Sequence, residues 1–277
     1  MKHLKNQTED LRQIDLFLFM GQSNMGGRGV SSPRFPQKAP SCLPHAGYEF
    51  RAVTDPSRLY PLSEPFGQWE NRPDGIYEPG RKTGSLVTAF VNAYYKKACV
   101  PVVAVSAARG GSLISQWLPG TPFFRDAALR LQDAVSFLGK SQIPIRHKFM
   151  VWCQGESDGK NKTPPEEYKR DFRTLLKAMT ALGIEHCFLI RIGHYNPAAA
   201  EPGAPLQDYT PILTAQDQLA AEEPFITMVS TKFAEMLERG LMQDTYHYYQ
   251  QAYNEVGDDA GSRTADFVKE SDRRIFQ

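Results

Sequence analysis

The sequence has little cysteine: it contains four residues in 277, and no two of them lie close together. Cys99, Cys153 and Cys187 lie in or beside apolar runs, where a cysteine usually behaves as a small buried hydrophobe. This spacing favours neither a disulfide framework nor a zinc site. The first ten residues also lack the apolar segment of a secretory signal. We therefore expect a protein of the reducing cytoplasm.

An excess of charge of either sign is also missing. The chain has 32 Lys and Arg residues against 31 Asp and Glu residues, which leaves a formal net charge of +1. Such a chain has no overall field that would attract nucleic acid or an anionic membrane. No apolar run approaches the roughly 20 residues of a membrane-spanning helix. Neither nucleic acid nor a membrane is therefore an expected partner, and the composition leaves the oligomeric state open.

What the chain does have is a regular alternation of short apolar runs with longer segments of helical periodicity. This alternation predicts an α/β fold with a parallel sheet and right-handed crossovers, covered by helices on both faces. The predicted strands are Ile14–Met20, Val100–Ser106, Lys148–Cys153, His186–Ile192 and Phe225–Ser230. The predicted helices are Ser85–Ala98, Phe124–Leu138, Pro165–Leu182, Ile212–Glu222 and Gln250 to about Glu270.

Residues 29–79 do not follow this pattern, because they are rich in proline, serine, glycine and aromatic residues and show no clean periodicity. We expect an irregular insertion that forms a wall of the active site, within a single domain of residues 1–277. Aromatic side chains of this segment can offer a stacking surface to a ligand or can form the segment's own small core. These are Tyr48, Phe50, Tyr60, Phe66 and Trp69.

The first predicted strand stops at Gly21 and is followed at once by Ser23. A glycine turn at the carboxyl end of a strand can lift a serine hydroxyl to the edge of the sheet, where ligands of such sheets bind. Ser23 is therefore a candidate nucleophile. A serine that only caps a helix is the alternative interpretation, and it is the commoner role of an isolated serine after a strand.

Two further strand ends offer groups that can stabilise an oxyanion. Gly110 and Gly111 follow the second strand and can turn a backbone N–H into an open pocket, although paired glycines also form ordinary turns. Gln154 follows the third strand, and its side-chain amide can donate to a developing oxyanion. Glu156 and Asp158 lie close by, and the same string can be read as a polar turn with capping acids.

A candidate base and its partner come near the end of the chain, at Asp244 and His247. Residues three apart on a helical turn are neighbours, so Asp244 can orient one imidazole nitrogen while the other faces Ser23. Alternatively Asp244 is a helix cap and His247 is exposed. His194 follows the fourth strand and is a candidate substrate contact, while the other histidines lie in tails, loops or strand starts. No histidine belongs to a metal-binding motif.

Taken together, four segments resemble the SGNH (GDSL-like) hydrolases, specifically the sialate O-acetylesterase and acetylxylan esterase-like branch. The segments occur in the family's order and span most of the chain. They are Gly21–Met25 (GQSNM), Gly110–Trp117 (GGSLISQW), Trp152–Asp158 (WCQGESD), and Asp244 with His247.

The resemblance implies a three-layer α/β/α sandwich with a flavodoxin-like parallel sheet, and acyl transfer through a serine ester without a metal or organic cofactor. It implies Ser23 as the nucleophile, His247 as the general base and Asp244 as the acid that orients it. The implied oxyanion hole consists of the N–H groups of Ser23 and Gly111 and the side chain of Gln154. Glu156 is the alternative acid, because the pair between Asp244 and His247 is bulkier than is common in the family.

The substrate implied by this resemblance is an O-acetylated carbohydrate such as a sialic acid or a xylo-oligosaccharide. Arg28, Arg109 and Arg191 are possible contacts to a carboxylate, although arginines are often structural or solvated. Two alternatives stay open. One is a lipase-like or thioesterase-like hydrolase of the same fold, and the other is a carbohydrate-binding protein without catalytic activity.

Overall fold

The computed structural model describes residues 11–275 and contains one seven-stranded sheet flanked by helices. The strands are β1 (Ile14–Gly21), β2 (Gly47–Arg51), β3 (Asp55–Pro61), β4 (Val102–Ala108), β5 (Ile145–Cys153), β6 (His186–Ile190) and β7 (Ile226–Ser230). The helices are α1 (Ser23–Gly26), α2 (Val87–Ala98), α3 (Pro122–Lys140), α4 (Glu156–Lys160), α5 (Pro165–Ala181), α6 (Thr210–Glu222) and α7 (Gln250–Ile275). Within residues 11–275, no helix is both long and apolar enough to span a bilayer.

The sheet order is β3-β2-β4-β1-β5-β6-β7, and every neighbouring pair except β2 with β3 is parallel. The five predicted strands correspond to β1, β4, β5, β6 and β7. Their spatial order is that of flavodoxin-like sheets, in which the order of the strands reverses beside the first strand. The predicted three-layer α/β/α fold is confirmed.

The strand β1 shows why its sequence is apolar without a break from Leu16 to Met20. Alternate side chains of a strand point to opposite faces, and here both faces are covered. Leu16 and Leu18 join the hydrophobic cluster built with α3, α5 and α6, whereas Phe17 and Phe19 join the one built with α2 and α7. Since β1 also lies between β4 and β5, it forms the centre of the molecule.

The expectation that residues 29–79 are irregular is wrong for the hairpin of β2 and β3. This hairpin extends the sheet at the edge of β4, and the antiparallel β3 makes the sheet mixed. A short pair of strands carries little periodicity of its own, and here the free edge of β4 supplies the backbone partners that stabilise it. Phe50 and Phe66 are buried in the core, whereas Trp69 is exposed.

A cluster of buried charges connects residues 29–79 to the sheet. The ammonium group of Lys82 donates hydrogen bonds to the carbonyl of Gly67 (3.0 Å) and to Oγ of Ser106 on β4 (2.9 Å). Burial lowers the pKa of Lys82 to about 8, and the nearby charge of Arg130 adds to this shift. The cost of burying this cation makes the stability of the fold depend on pH.

We expect Lys82 to make the fold more stable as the pH rises through this range. Its pKa is about 8 in the folded protein against an ordinary 10.5, so between these values the unfolded chain binds more protons. The free energy of unfolding of the wild type minus that of Lys82→Met should therefore increase by about 3 kcal/mol from pH 8 to 10.5, in urea unfolding experiments. A difference that stays constant across this range would contradict the assignment, and the exposed Lys140→Met serves as the control.

Candidate active site

The turn after β1 requires a glycine and brings the candidate nucleophile to the edge of the sheet. Gly21 has a φ of 142°, and a Cβ at this position would overlap the carbonyl oxygen of Cys153 on the neighbouring strand β5. The chain is held there by hydrogen bonds from the N–H of Gln22 to Cys153 (3.0 Å) and from the N–H of Arg109 to Gly21 (2.9 Å). Ser23 follows as the first residue of α1.

Ser23, His247 and Asp244 lie in a continuous hydrogen-bonded chain. Oγ of Ser23 is 2.9 Å from Nε2 of His247, and Nδ1 of the same imidazole is 2.8 Å from Oδ2 of Asp244. The other carboxylate oxygen of Asp244 accepts the backbone N–H groups of Tyr246 and His247, each at 2.7 Å. In this arrangement a neutral imidazole with its proton on Nδ1 presents Nε2 to the serine hydroxyl.

Of the two candidates for the acid, Asp244 alone contacts the imidazole. Partial burial raises the pKa of Asp244, but the hydrogen bonds from the ring and the two backbone N–H groups outweigh it, so its pKa is lowered overall. Glu156 instead accepts a hydrogen bond from Asn24 at 2.6 Å, and burial raises the pKa of its carboxyl. The geometry therefore favours Asp244 for the orienting role.

Asn24, which the sequence analysis did not single out, connects the parts of the site. Its side-chain amide donates to Glu156 and to the carbonyl of Tyr246 (3.1 Å), and its oxygen accepts the hydroxyl of Tyr253 (2.6 Å). These bonds join the turn after β1 to the loop that carries His247. The signal was present in the sequence, because Asn24 lies next to Ser23 in the first matching segment.

Two of the three expected oxyanion donors face the cleft. Gly111 has a φ of 70° and, like Ser23, lines the cavities around the serine hydroxyl. Among residues 11–275, the backbone N–H groups of Ser23 and Gly111 have no protein acceptor. Both groups are therefore free to donate to a ligand.

The position of Gln154 does not agree with the expected role as an oxyanion donor. Its side chain is fully buried, and Nε2 donates to the carbonyl of Ser112 (2.9 Å) and to the carboxylate of Asp158. Asp158 lies on α4, which begins just after Gln154, so it draws the amide inward rather than toward Ser23. Both hydrogens of the amide nitrogen are used by these two contacts.

Gln22 offers a side-chain amide that the sequence analysis missed. Its oxygen accepts the backbone N–H groups of Gly155 and Ser157, each at 3.3 Å, so the orientation of the amide is determined. Its NH₂ group has no acceptor in the part of the chain that the structure describes. Gln22 lines the same small cavity as Ser23 and Gly111. The signal in the sequence was the place of Gln22 directly before Ser23.

Two cavities of different size and chemistry meet at Ser23 and His247. The smaller, of about 150 Å³, is lined by Glu156, Ser157 and Tyr246 among others. The larger, of about 430 Å³, is lined by residues of four segments of the chain and contains three arginines. These arginines are Arg28, Arg81 and Arg109.

The three arginines differ in how they are paired. Arg28 and Arg109 contact the same carboxylate oxygen of the buried Glu78, at 2.7 and 3.3 Å. Arg81, which the sequence analysis did not single out, is exposed and has no side-chain partner within residues 11–275. The cavity wall therefore carries three positive charges against the one carboxylate of Glu78, and Arg81 is free to meet an anion.

Two other candidate contacts lie outside these cavities. His194 is exposed and lines a separate cavity beside Tyr195 and Asp208. Arg191 pairs with Asp217 at 2.7 Å. The cleft at Ser23 thus does not include them. In the described part of the chain, no cluster of His, Cys, Asp and Glu side chains has the arrangement of a metal site.

Comparison with protein families identifies one match that covers nearly the whole chain. A sequence profile described as "SASA: Carbohydrate esterase, sialic acid-specific acetylesterase" matches residues 13–265. The resemblance inferred from the four sequence segments is confirmed by this match. A comparison with curated proteins gives no match.

Solved structures share the fold at low sequence identity. A protein of Arabidopsis thaliana is 21% identical with a TM-score of 0.64, and the alignment covers 92% of this chain and 99% of that one. NanS is 14% identical with a TM-score of 0.61 over 95% of this chain and 99% of its own. A carbohydrate acetylesterase from Xanthomonas citri is 15% identical with a TM-score of 0.54 over 91% of this chain and 55% of its own.

The contacts around the imidazole generate a test that separates the two acids. We expect Asp244→Ala to lower kcat for p-nitrophenyl acetate by roughly 10²- to 10⁴-fold, because the imidazole loses the group that orients it. We expect Glu156→Gln to lower kcat less than tenfold, since its carboxylate contacts Asn24 rather than the ring. Steady-state kinetics on both variants, after circular dichroism confirms their folds, makes the comparison. A larger loss for Glu156→Gln would reverse the assignment.

Proposed function

The chain belongs to the family of sialic acid-specific carbohydrate acetylesterases, and on that premise we propose that it removes O-acetyl groups from a sugar through an acetyl ester of Ser23. It is a carboxylic ester hydrolase that acts on acetyl esters of carbohydrates. The observation that supports the serine mechanism is the hydrogen-bonded chain from Asp244 through His247 to Ser23, with distances of 2.8 and 2.9 Å. A histidine held in this way is a suitable base for a serine hydroxyl.

The proposed reaction has two stages. In the first, Oγ of Ser23 forms a bond to the acetyl carbon while Nε2 of His247 takes the hydroxyl proton. The bond between the acetyl carbon and the sugar oxygen then breaks, and that oxygen receives the proton from His247. In the second stage His247 takes a proton from water, the hydroxide attacks the acetyl-enzyme, and Oγ leaves with the proton as acetate is released.

The negative charge that develops on the acetyl oxygen needs donors that are already in place. The free N–H groups of Ser23 and Gly111 are our candidates, and the NH₂ group of Gln22 takes the role that sequence reasoning gave to Gln154. Its oxygen is held by two backbone N–H groups, so the amide does not have to reorganise during the reaction.

The two cavities suggest how the substrate divides between them. We place the acetyl group in the cavity of about 150 Å³ and the sugar in the cavity of about 430 Å³. The arginines of the larger cavity favour an acidic sugar, and the family description suggests a sialic acid, whose carboxylate Arg81 would bind. Charge-assisted hydrogen bonds of this kind are among the stronger ones.

Replacing the nucleophile tests the mechanism. Ser23→Ala should lower kcat for p-nitrophenyl acetate by at least roughly 10³-fold, because it removes the hydroxyl that lies 2.9 Å from Nε2 of His247. The thermal unfolding temperature should stay close to that of the wild type. A fluorophosphonate probe should label the wild type and fail to label the variant. Turnover near the wild-type rate in Ser23→Ala would refute the serine mechanism.

Replacing Arg81 tests the acidic substrate. For Arg81→Gln we expect the ratio of kcat/KM on an O-acetylated sialic acid to kcat/KM on a neutral O-acetylated hexose to fall roughly tenfold. A hydrogen bond to a charged group contributes about 1.5–3 kcal/mol, and solvent screening at an exposed side chain lowers this value. Arg125→Gln, an exposed arginine on α3, is the matched control and should keep the ratio. An equal loss on both substrates would argue against carboxylate recognition by Arg81.

A further inference from the structure

We propose that Arg109 is a positioning residue, which holds the peptide between Gly110 and Gly111 so that its N–H points into the cleft. The inference rests on the proposed function, since it concerns an oxyanion donor for the acetyl-transfer reaction. Arg109 would act through this peptide and not by contact with the reacting atoms. This differs from the substrate contact that its position in the sequence suggested.

The contact that carries the inference is a hydrogen bond to the peptide itself. Nη1 of Arg109 donates to the carbonyl oxygen of Gly110 at 2.6 Å. The carbonyl of Gly110 and the N–H of Gly111 belong to one peptide unit, which is planar and trans. Holding the oxygen on the side of Arg109 therefore turns the N–H of Gly111 to the opposite side of the peptide. In our proposal this is the side of Ser23, which lines both cavities together with Gly111.

This peptide needs holding because it is flanked by glycines. A peptide rotates when ψ of the residue before it and φ of the residue after it change together, and glycine accepts nearly all of the resulting combinations. Gly111 already has a φ of 70°, and apart from Gly111 and its two chain neighbours no described residue has a heavy atom within 4 Å of the place its Cβ would take. Packing around Gly111 therefore does little to select one orientation.

Arg109 is itself held by the buried carboxylate of Glu78. Nη1 of Arg109 lies 3.3 Å from Oε1 of Glu78, and the same oxygen accepts a hydrogen bond from Nη2 of Arg28 at 2.7 Å. A Cβ on Gly110 would overlap this oxygen. The second oxygen of Glu78 is buried and has no partner within the described residues. A buried carboxylate in contact with two guanidinium groups is costly to move. The position of Arg109 is thereby determined by residues 29–79, which supply Glu78.

The experiment uses a neutral substrate, so that loss of the positive charge does not affect substrate attraction. For Arg109→Met acting on p-nitrophenyl acetate, we expect kcat to fall roughly 10- to 100-fold with KM within about threefold of the wild type. Arg109→Ala should behave in the same way, and guanidinium ions added at millimolar concentration should restore part of its kcat. A residue with a merely structural role would not show this rescue. Arg58→Met, at an exposed pair on β3, is the matched control.

Different results separate this inference from the proposed function. A kcat within twofold of the wild type in folded Arg109→Met, or a raised KM with unchanged kcat, would overturn the positioning role while leaving the serine mechanism intact. If Arg109→Met does not fold, Arg109→Lys carries the test, because one ammonium group can still reach the carbonyl of Gly110 and should retain more activity than Arg109→Ala. Failure of the fluorophosphonate probe to label wild-type Ser23 would instead count against the proposed function.

Discussion

The arrangement of the site depends on the parallel pairing of β1 between β4 and β5. This pairing places the ends of three strands side by side, so that Ser23, Gly111 and Glu156 come from distant parts of the chain to one edge of the sheet. The close approach of Gly21 to the carbonyl of Cys153 fixes where the turn begins. Any side chain at Gly21 would separate β1 from β5 and move Ser23 away from His247.

Around this edge, buried hydrogen bonds and ion pairs connect the loops to one another. Asn24 connects the turn after β1 to the loop of His247 and to Glu156. Glu78 connects Arg28 on one strand-end loop to Arg109 on another. Polar networks of this kind specify geometry because each unpaired member would be costly. The same connections leave a cavity with a positive wall beside the serine.

Much of the fold and of the candidate site could be predicted from the sequence, for physical reasons that differ between the elements. The five predicted strands β1, β4, β5, β6 and β7 are largely buried on both faces, so apolar residues dominate their sequences and make them easy to recognise. The strands β2 and β3 depend on the edge of β4, a tertiary partner that the local sequence does not reveal. Asp244 and His247 were expected to meet because of their three-residue spacing, Ser23 was a candidate because it follows a strand end, and the family resemblance joined the three. Gln154 was assigned to the cleft because it follows a strand end. Its position in the sequence does not show that its amide donates a hydrogen bond to Asp158 instead.

The central claim is that the acetyl group is carried by Ser23, and the acetyl-enzyme itself is the most direct evidence. Rapid-quench experiments with p-nitrophenyl acetate, followed by mass spectrometry of proteolytic fragments, would detect it. The account predicts an acetyl group on the peptide that contains Ser23, formed during the burst of p-nitrophenol release and lost as turnover proceeds. Turnover with Ser23 unmodified, or with the acetyl group on another side chain, would contradict it.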